Sequence, residues 1–286
     1  MELQVQYINS LEEYLSRMKL DTASWESGPL RLARPWFRGQ DRTDSPIPRL
    51  FRAPRYDEFE LTRAFRDRAG AFGNLPETKR LDKWLFLMQH YGAPTRLLDW
   101  TESPLIALFF AIDGHRRRTK QERLEGNPAV WVLNPLSLNQ VSGIDGFPNT
   151  WARQDLEMQL PSGSLRINQN PGVEFFRLAF HPVAEWSSQI NSDIVRLAIA
   201  VQPNYLDMRM YSQRSCFTIH GIEQPDIEGL YNVDKRSSKP YLLKYVVTNS
   251  QADAIYSDLQ RLGISRGSVF PDFEGISQEL SERFRL

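Results

Sequence analysis

Residues 103–112 read Ser-Pro-Leu-Ile-Ala-Leu-Phe-Phe-Ala-Ile, and no other stretch constrains the fold as tightly. Ser103 suits an N-cap, because its hydroxyl accepts a first-turn N–H, and Pro104 suits the first helical position, where a missing N–H costs nothing. Leu105 to Ile112 then put apolar side chains on every side of the helix. Such a helix cannot lie on a surface, so the remaining chain must wrap around it. The run is far shorter than the ~20 apolar residues that cross a bilayer, so the expected cover is protein. With 286 residues, 41% of them hydrophobic, the chain can form one large domain or two ordinary ones around such a helix.

The other elements are read from periodicity. Ser10 and Glu13 form a capping box ahead of Leu11, Tyr14, Leu15 and Met18, which fall at helical spacing. A second helix is expected over about 57–71, with Leu61, Ala64, Phe65 and Phe72 on one face. A third, about 79–91, stops at Gly92, a suitable C′ residue. Residues 93–101 read as a loop leading to the capped helix. Two further helices are expected at about 251–262 and 273–284. Strands are expected at Trp36-Phe37, 129–133, 174–180, 194–201, 216–220 and 241–247. No regular βαβ unit appears, which favours an α+β fold with a mixed or antiparallel central sheet and flanking helices. Residues 1–32 are expected to form an N-terminal helical segment packed on a domain of residues 33–286.

Composition excludes several classes. Lys and Arg number 35 and so do Asp and Glu, and zero net charge is unlike a globally basic nucleic-acid binder. The single cysteine, Cys216, leaves no partner for an internal disulfide and no cysteine cluster for a metal. The start of the chain lacks an apolar segment of signal-peptide type. The expectation is a soluble, cytoplasmic protein with no membrane partner. The basic run His115-Arg116-Arg117-Arg118 is expected to be a solvated loop.

Chemistry-bearing residues concentrate in QHYGAPTRLLDWTESP, residues 89–104. As a pocket wall, it offers His90 and Tyr91 at a helix end, Arg96 for a phosphate, Asp99 to orient a hydroxyl or cation, and Trp100 to stack on a base. The structural alternative is that Asp99 and Thr101 satisfy loop amides while Arg96 forms a buried ion pair. A second cluster, Trp36-Phe37-Arg38-Gly39-Gln40, reads as a strand ending at an exposed guanidinium. Gly39 there would let a ligand approach the backbone, and Arg38 would bind a pyrophosphate or carboxylate with its planar fork. The alternative is a salt bridge near a turn. In a third cluster, Cys216 and His220 would share a strand face ~13 Å apart, too far for a nucleophile and its base. The histidines His90, His115, His181 and His220 are scattered outside any metal-binding spacing. Asp99, Glu102, Glu174, Glu223 and Asp226 show no spacing that marks an acid/base pair.

The FRG of residues 37–39, Pro48-Arg49-Leu50-Phe51-Arg52 and QHYGAPTRLLDWTESPLIALFFA together resemble the FRG-domain family of bacterial and phage proteins. The likeness continues through Ala129–Pro135 and Gln213–Thr218 to Leu262-Gly263-Ile264 and Val269–Asp272, covering roughly residues 33–280. One departure is Ser215, where the family usually carries glycine. The layout is in turn similar to that of ADP-ribosyltransferases, which place an arginine at the end of a first strand, a Ser/Thr-rich strand before a buried helix, and a Glu or Gln on a later strand. That similarity implies that Arg38 holds NAD, that Thr101 and Ser103 take the second position, and that Gln213 stands where the transferases have a catalytic glutamate. Gln213 is neutral, so Asp99 is the carboxylate expected to face the cationic ribose.

The resemblance thus implies an NAD- or nucleotide-binding protein in phage–host conflict. Catalytic candidates are Arg38, Asp99, Thr101 and Gln213; ligand contacts are Arg38, Gly39, Gln40, His90, Tyr91, Arg96 and Trp100. NAD enters as substrate, without a metal, and the acceptor is an unidentified protein or nucleic acid. The alternative is a non-enzymatic binding or sensor module for a protein or nucleotide.

Overall fold

A computed structural model describes residues 3–25, 34–52, 54–73, 75–77, 81–142, 198–203, 205, 207–221, 226–233 and 240–284. Among the described residues, seven strands form one sheet: β1 (Gln4–Ile8), β2 (Trp36–Gln40), β3 (Leu97–Thr101), β4 (Ala129–Leu133), β5 (Ala198–Val201), β6 (Ser215–His220) and β7 (Leu242–Val247). Their order is β1-β7-β4-β2-β3-β6-β5. β1 runs parallel to β7 and every other pairing is antiparallel, so the sheet is mixed.

Helix α4 (Pro104–Arg116) lies on one face of β2, as its all-round apolarity requires. Ser103 caps it by accepting the Ile106 N–H. Ala107, Leu108, Phe109, Ala111 and Ile112 are buried against Phe37, Val130, Val132 and Tyr245 of the sheet, with Ile255 and Leu259 of α9 (Ala252–Arg261) beyond. Gly39 makes this contact possible. A Cβ there would stand 1.9 Å from the Ala107 carbonyl oxygen and 2.6 Å from the Ala111 nitrogen. The glycine therefore serves the approach of strand and helix, while its backbone also borders the cleft. On the opposite face, Trp36, Trp131, Leu98, Trp100 and Cys216 pack with α6 (Pro135–Val141) and α8 (Ile227–Val233).

Four expectations change. Residues 97–101 form a strand, not a loop, and sit inside the sheet. Leu98 and Trp100 fill one face while Asp99, between them, is exposed, so the alternation is real but interrupted by one polar side chain. β1 was unforeseen and makes the N-terminal segment part of the sheet, while Tyr14 of α1 (Leu11–Thr22) enters the main core. The basic run is not a solvated loop. His115 is buried in the last turn of α4 with Nε2 2.7 Å from Asn249, Arg116 pairs with Asp253 at 2.9 Å, and Arg118 pairs with Asp41 at 2.6 Å. α2 (Glu58–Ala69) also ends before Phe72, which is exposed. The expected strand 174–180, residues 194–197, Glu174, His181 and Glu223 lie outside the described residues.

The relation between β2 and β3 positions the site. β2 pairs with β4 over five residues and β3 pairs with β6 over five, yet β2 and β3 share one pair, Phe37 with Thr101. The sheet therefore consists of two well-paired halves joined at a single point. Among the described residues, no helix is long and apolar enough to cross a membrane.

Candidate functional site

A cleft of about 1050 Å³ opens where β2 and β3 part, at the large end of the usual range for ligand sites. Its walls are the end of β2, the loop after it, the end of α3 (Leu81–His90) with its turn, β3, and the segment from α7 (Met208–Ser212) into β6. Gly92 closes α3 with φ +73°, the left-handed conformation expected of a C′ glycine.

Arg38 crosses the gap. Its Nη1 donates to the Asp99 main-chain carbonyl at 2.6 Å and stands 3.8 Å from Asp99 Oδ2. Its Nε donates to Gln40 Oε1 at 3.1 Å, and Gln40 is itself held by donating to the Asp44 carbonyl at 2.9 Å. Burial, opposed by Asp99 and Asp41 and aided by Arg52, lowers the Arg38 pKa to about 10. The group remains cationic at neutral pH.

Asp99 is the exposed carboxylate of this wall, its side chain 56% exposed. Gln89 Nε2 donates to Asp99 Oδ2 at 2.8 Å, and the orientation of that amide is set by Thr95, whose hydroxyl donates to Gln89 Oε1. Thr95 is buried and also accepts the Leu97 N–H. A chain of hydrogen bonds thus aims the Asp99 carboxylate from below.

Thr101 and Gln213 do meet, though not as two free side chains. Thr101 Oγ1 donates to the Gln213 main-chain carbonyl at 2.7 Å and accepts the Ser103 N–H at 3.0 Å. Both bonds are structural, joining β3 to the segment before β6 and to the start of α4. Gln213 sits in the turn that ends α7, not on a strand, and its Nε2 donates to the Val269 carbonyl at 3.2 Å. The following residue, Arg214, has φ 47°, and Ser215 then begins β6.

His90 and Tyr91 line the mouth with rings 4.9 Å apart, and His90 Nδ1 stands 3.1 Å from Asp207 Oδ2. Two expected contacts are corrected. Arg96 is 1% exposed and turned away from the cleft; its Nε donates to Glu58 Oε1 at 2.6 Å, its Nη2 pairs with Glu58 Oε2, and its Nη1 donates to the His220 carbonyl. A guanidinium so engaged cannot take a phosphate. Trp100 is buried in the core of the opposite face and donates to Thr218 Oγ1 at 3.0 Å, so its ring is no stacking platform.

The cleft's other cations were not read from the sequence. Arg42, Arg49, Arg52, Arg118 and Arg209 join Arg38 in its wall, against Asp41, Asp44 and Asp99. Arg49 donates to the Gly92 carbonyl at 2.7 Å, Arg52 to the Ile47 carbonyl at 2.7 Å, and Arg209 lies over the Phe270 ring at 4.7 Å. Among the described residues none of these three has a carboxylate partner. The signal for two of them was available. In Pro48-Arg49-Leu50-Phe51-Arg52 a 3₁₀ turn buries Leu50 and places Arg49 and Arg52 three residues apart on one side.

Residues 33–120 match the family model of the FRG domain. The chain therefore carries an FRG domain, and the matched stretch contains Arg38, Gly39, Gln40, Gln89, Asp99 and Thr101 but stops well before Gln213. Searches of curated proteins and of solved structures found no match.

Proposed function

We propose that the cleft binds a nucleotide and that its ligand is NAD, from which the protein transfers ADP-ribose. The observation that carries the reading is Arg38 beside an exposed, hydrogen-bonded Asp99 at the parting of two sheet halves. Anionic phosphates fit a wall in which Arg49, Arg52 and Arg209 keep donors without carboxylate partners. In transfer, the bond between ribose C1′ and nicotinamide breaks, nicotinamide leaves with the electron pair, and C1′ becomes cationic. Asp99 supplies the negative charge that steadies this centre, and the acceptor's nucleophile then bonds to C1′ and loses its proton. Gln213 contributes no charge, and its amide is engaged by Val269. The setting implied by the FRG resemblance is phage–host conflict.

A second reading, nucleotide sensing without turnover, is favoured by Thr101, whose hydroxyl is spent on structure. Incubation with labelled NAD, cell extract and nucleic acid separates the two. A labelled acceptor supports transfer, NAD binding without one supports sensing, and absence of both contradicts the nucleotide reading.

A further inference from the structure

The cleft's mouth continues into exposed aromatic side chains that no interior packing explains. Tyr91, on the wall, is 71% exposed, and its ring meets that of His90 edge-on. His90 is tied to Asp207, the residue that caps α7 by accepting the Met210 N–H. On either side of that cap stand Tyr205 and Tyr211, 45% and 64% exposed, with ring centroids 6.1 Å apart. Between them Met208 is 65% exposed, while Arg209 faces into the cleft. The His90–Asp207 contact thus joins two short segments that hold three exposed tyrosine rings next to a cationic groove.

An exposed tyrosine alone is ordinary, and an arginine-lined cleft alone suits any phosphate. Their juxtaposition is more selective. A groove that follows a phosphate backbone, flanked by flat rings on which successive bases can stack, is the construction used for single-stranded nucleic acid. We infer that this rim receives a single-stranded nucleic acid, whose bases stack on Tyr91, Tyr205 and Tyr211 and whose phosphates meet the cationic mouth of the cleft beside the NAD held deeper in it. The inference rests on the nucleotide reading of the cleft and names the acceptor's chemical class. Zero net charge over the chain does not oppose it, because cations gather at the cleft: among the described residues, six arginines against three aspartates line it. A duplex fits less well, because its base faces are covered by their neighbours.

The test is fluorescence anisotropy with the full chain and labelled 12-mers of single-stranded DNA, single-stranded RNA and the matching DNA duplex. The expected result is salt-sensitive binding of a single strand, weaker binding of the duplex, and affinity reduced roughly fivefold or more by Tyr211→Ala and again by Tyr91→Ala. The DNA and RNA arms show whether the sugar is read. Equal binding of duplex and single strand, no binding at low salt, or tyrosine variants that bind as well as the parent would overturn the inference. Calorimetry of NAD with the unaltered chain keeps the two claims apart. NAD binding without strand binding rejects the rim alone, whereas failure of both rejects the nucleotide cleft as well.

Discussion

Arg38 donates a 2.6 Å hydrogen bond to the main-chain carbonyl of Asp99, spanning two strands whose backbones share a single residue pair. The side chain therefore both bridges the two sheet halves and presents a cation to the cleft. Substitution should affect binding more than a simple loss of charge would. Arg38→Ala is expected to weaken nucleotide binding about tenfold or more, the scale of one charged hydrogen bond. Arg38→Lys should recover little, because an ammonium cannot hold Gln40, the Asp99 carbonyl and a phosphate together. Calorimetric titration with NAD checks both variants.

Gly39 makes the neighbouring prediction one of stability. A methyl group there meets main-chain atoms of α4, which cannot swing aside as a side chain would. Gly39→Ala should cost about 3 kcal/mol, at the upper end for an overpacked core. Denaturant unfolding measures it, and an unchanged midpoint would contradict the packing described.

Arg96 and Glu58 form a nearly sealed pair, with 1% and 10% of their side chains exposed. Glu58→Gln leaves the guanidinium buried without its counter-charge and should cost about 3 kcal/mol. Because the pair lies outside the cleft, NAD affinity of the folded fraction should be unchanged. A thermal unfolding series with a parallel binding measurement distinguishes this variant from Arg38→Ala.

These two arginines show what the sequence disclosed and what it withheld. The central helix was legible because its signal is local: a cap, a proline and apolar residues on every side. Arg38 was legible as a strand arginine beside a glycine, but β2 runs on to Gln40 and leaves the guanidinium only 16% exposed, not at an exposed strand end. Whether Arg96 faces ligand or core depends on Glu58, 38 residues away in the chain, and no local pattern carries that information. The alternation of Leu98, Asp99 and Trp100 puts Asp99 opposite its neighbours, but only the packed sheet tells which face opens on the cleft. Pro94 and Pro104 flank β3 and an acidic residue interrupts its apolar run, so its strand character is hidden in the sequence. The cleft's remaining arginines come from segments that meet only after folding.

Cys216 behaves as packing. Burial raises its thiol well above the ordinary value of 9.0, and the charges of Glu102 and Asp99 raise it further. The thiol should resist alkylation in the folded protein at pH 8 and react once denaturant opens the core. The same shift fixes the sign of a stability effect. Above about pH 9 the unfolded chain releases this proton while the folded chain retains it, so stability falls as pH rises. Buried Tyr14 and Tyr245, also shifted upward, add to the loss as pH passes 10. Guanidinium midpoints at pH 7.5, 9 and 10 should decline in that order.

In the proposed reaction Asp99, aimed by Gln89 and Thr95, acts on NAD held by Arg38. Asp99→Asn preserves size and the main-chain carbonyl that Arg38 holds, removing only the charge. The most direct measurement is NAD binding and ADP-ribose transfer, side by side, for the parent chain and this variant. Asp99→Asn should still bind NAD while transfer falls roughly a hundredfold or more. A folded parent chain that binds no NAD, or a variant that transfers as fast as the parent, would contradict it.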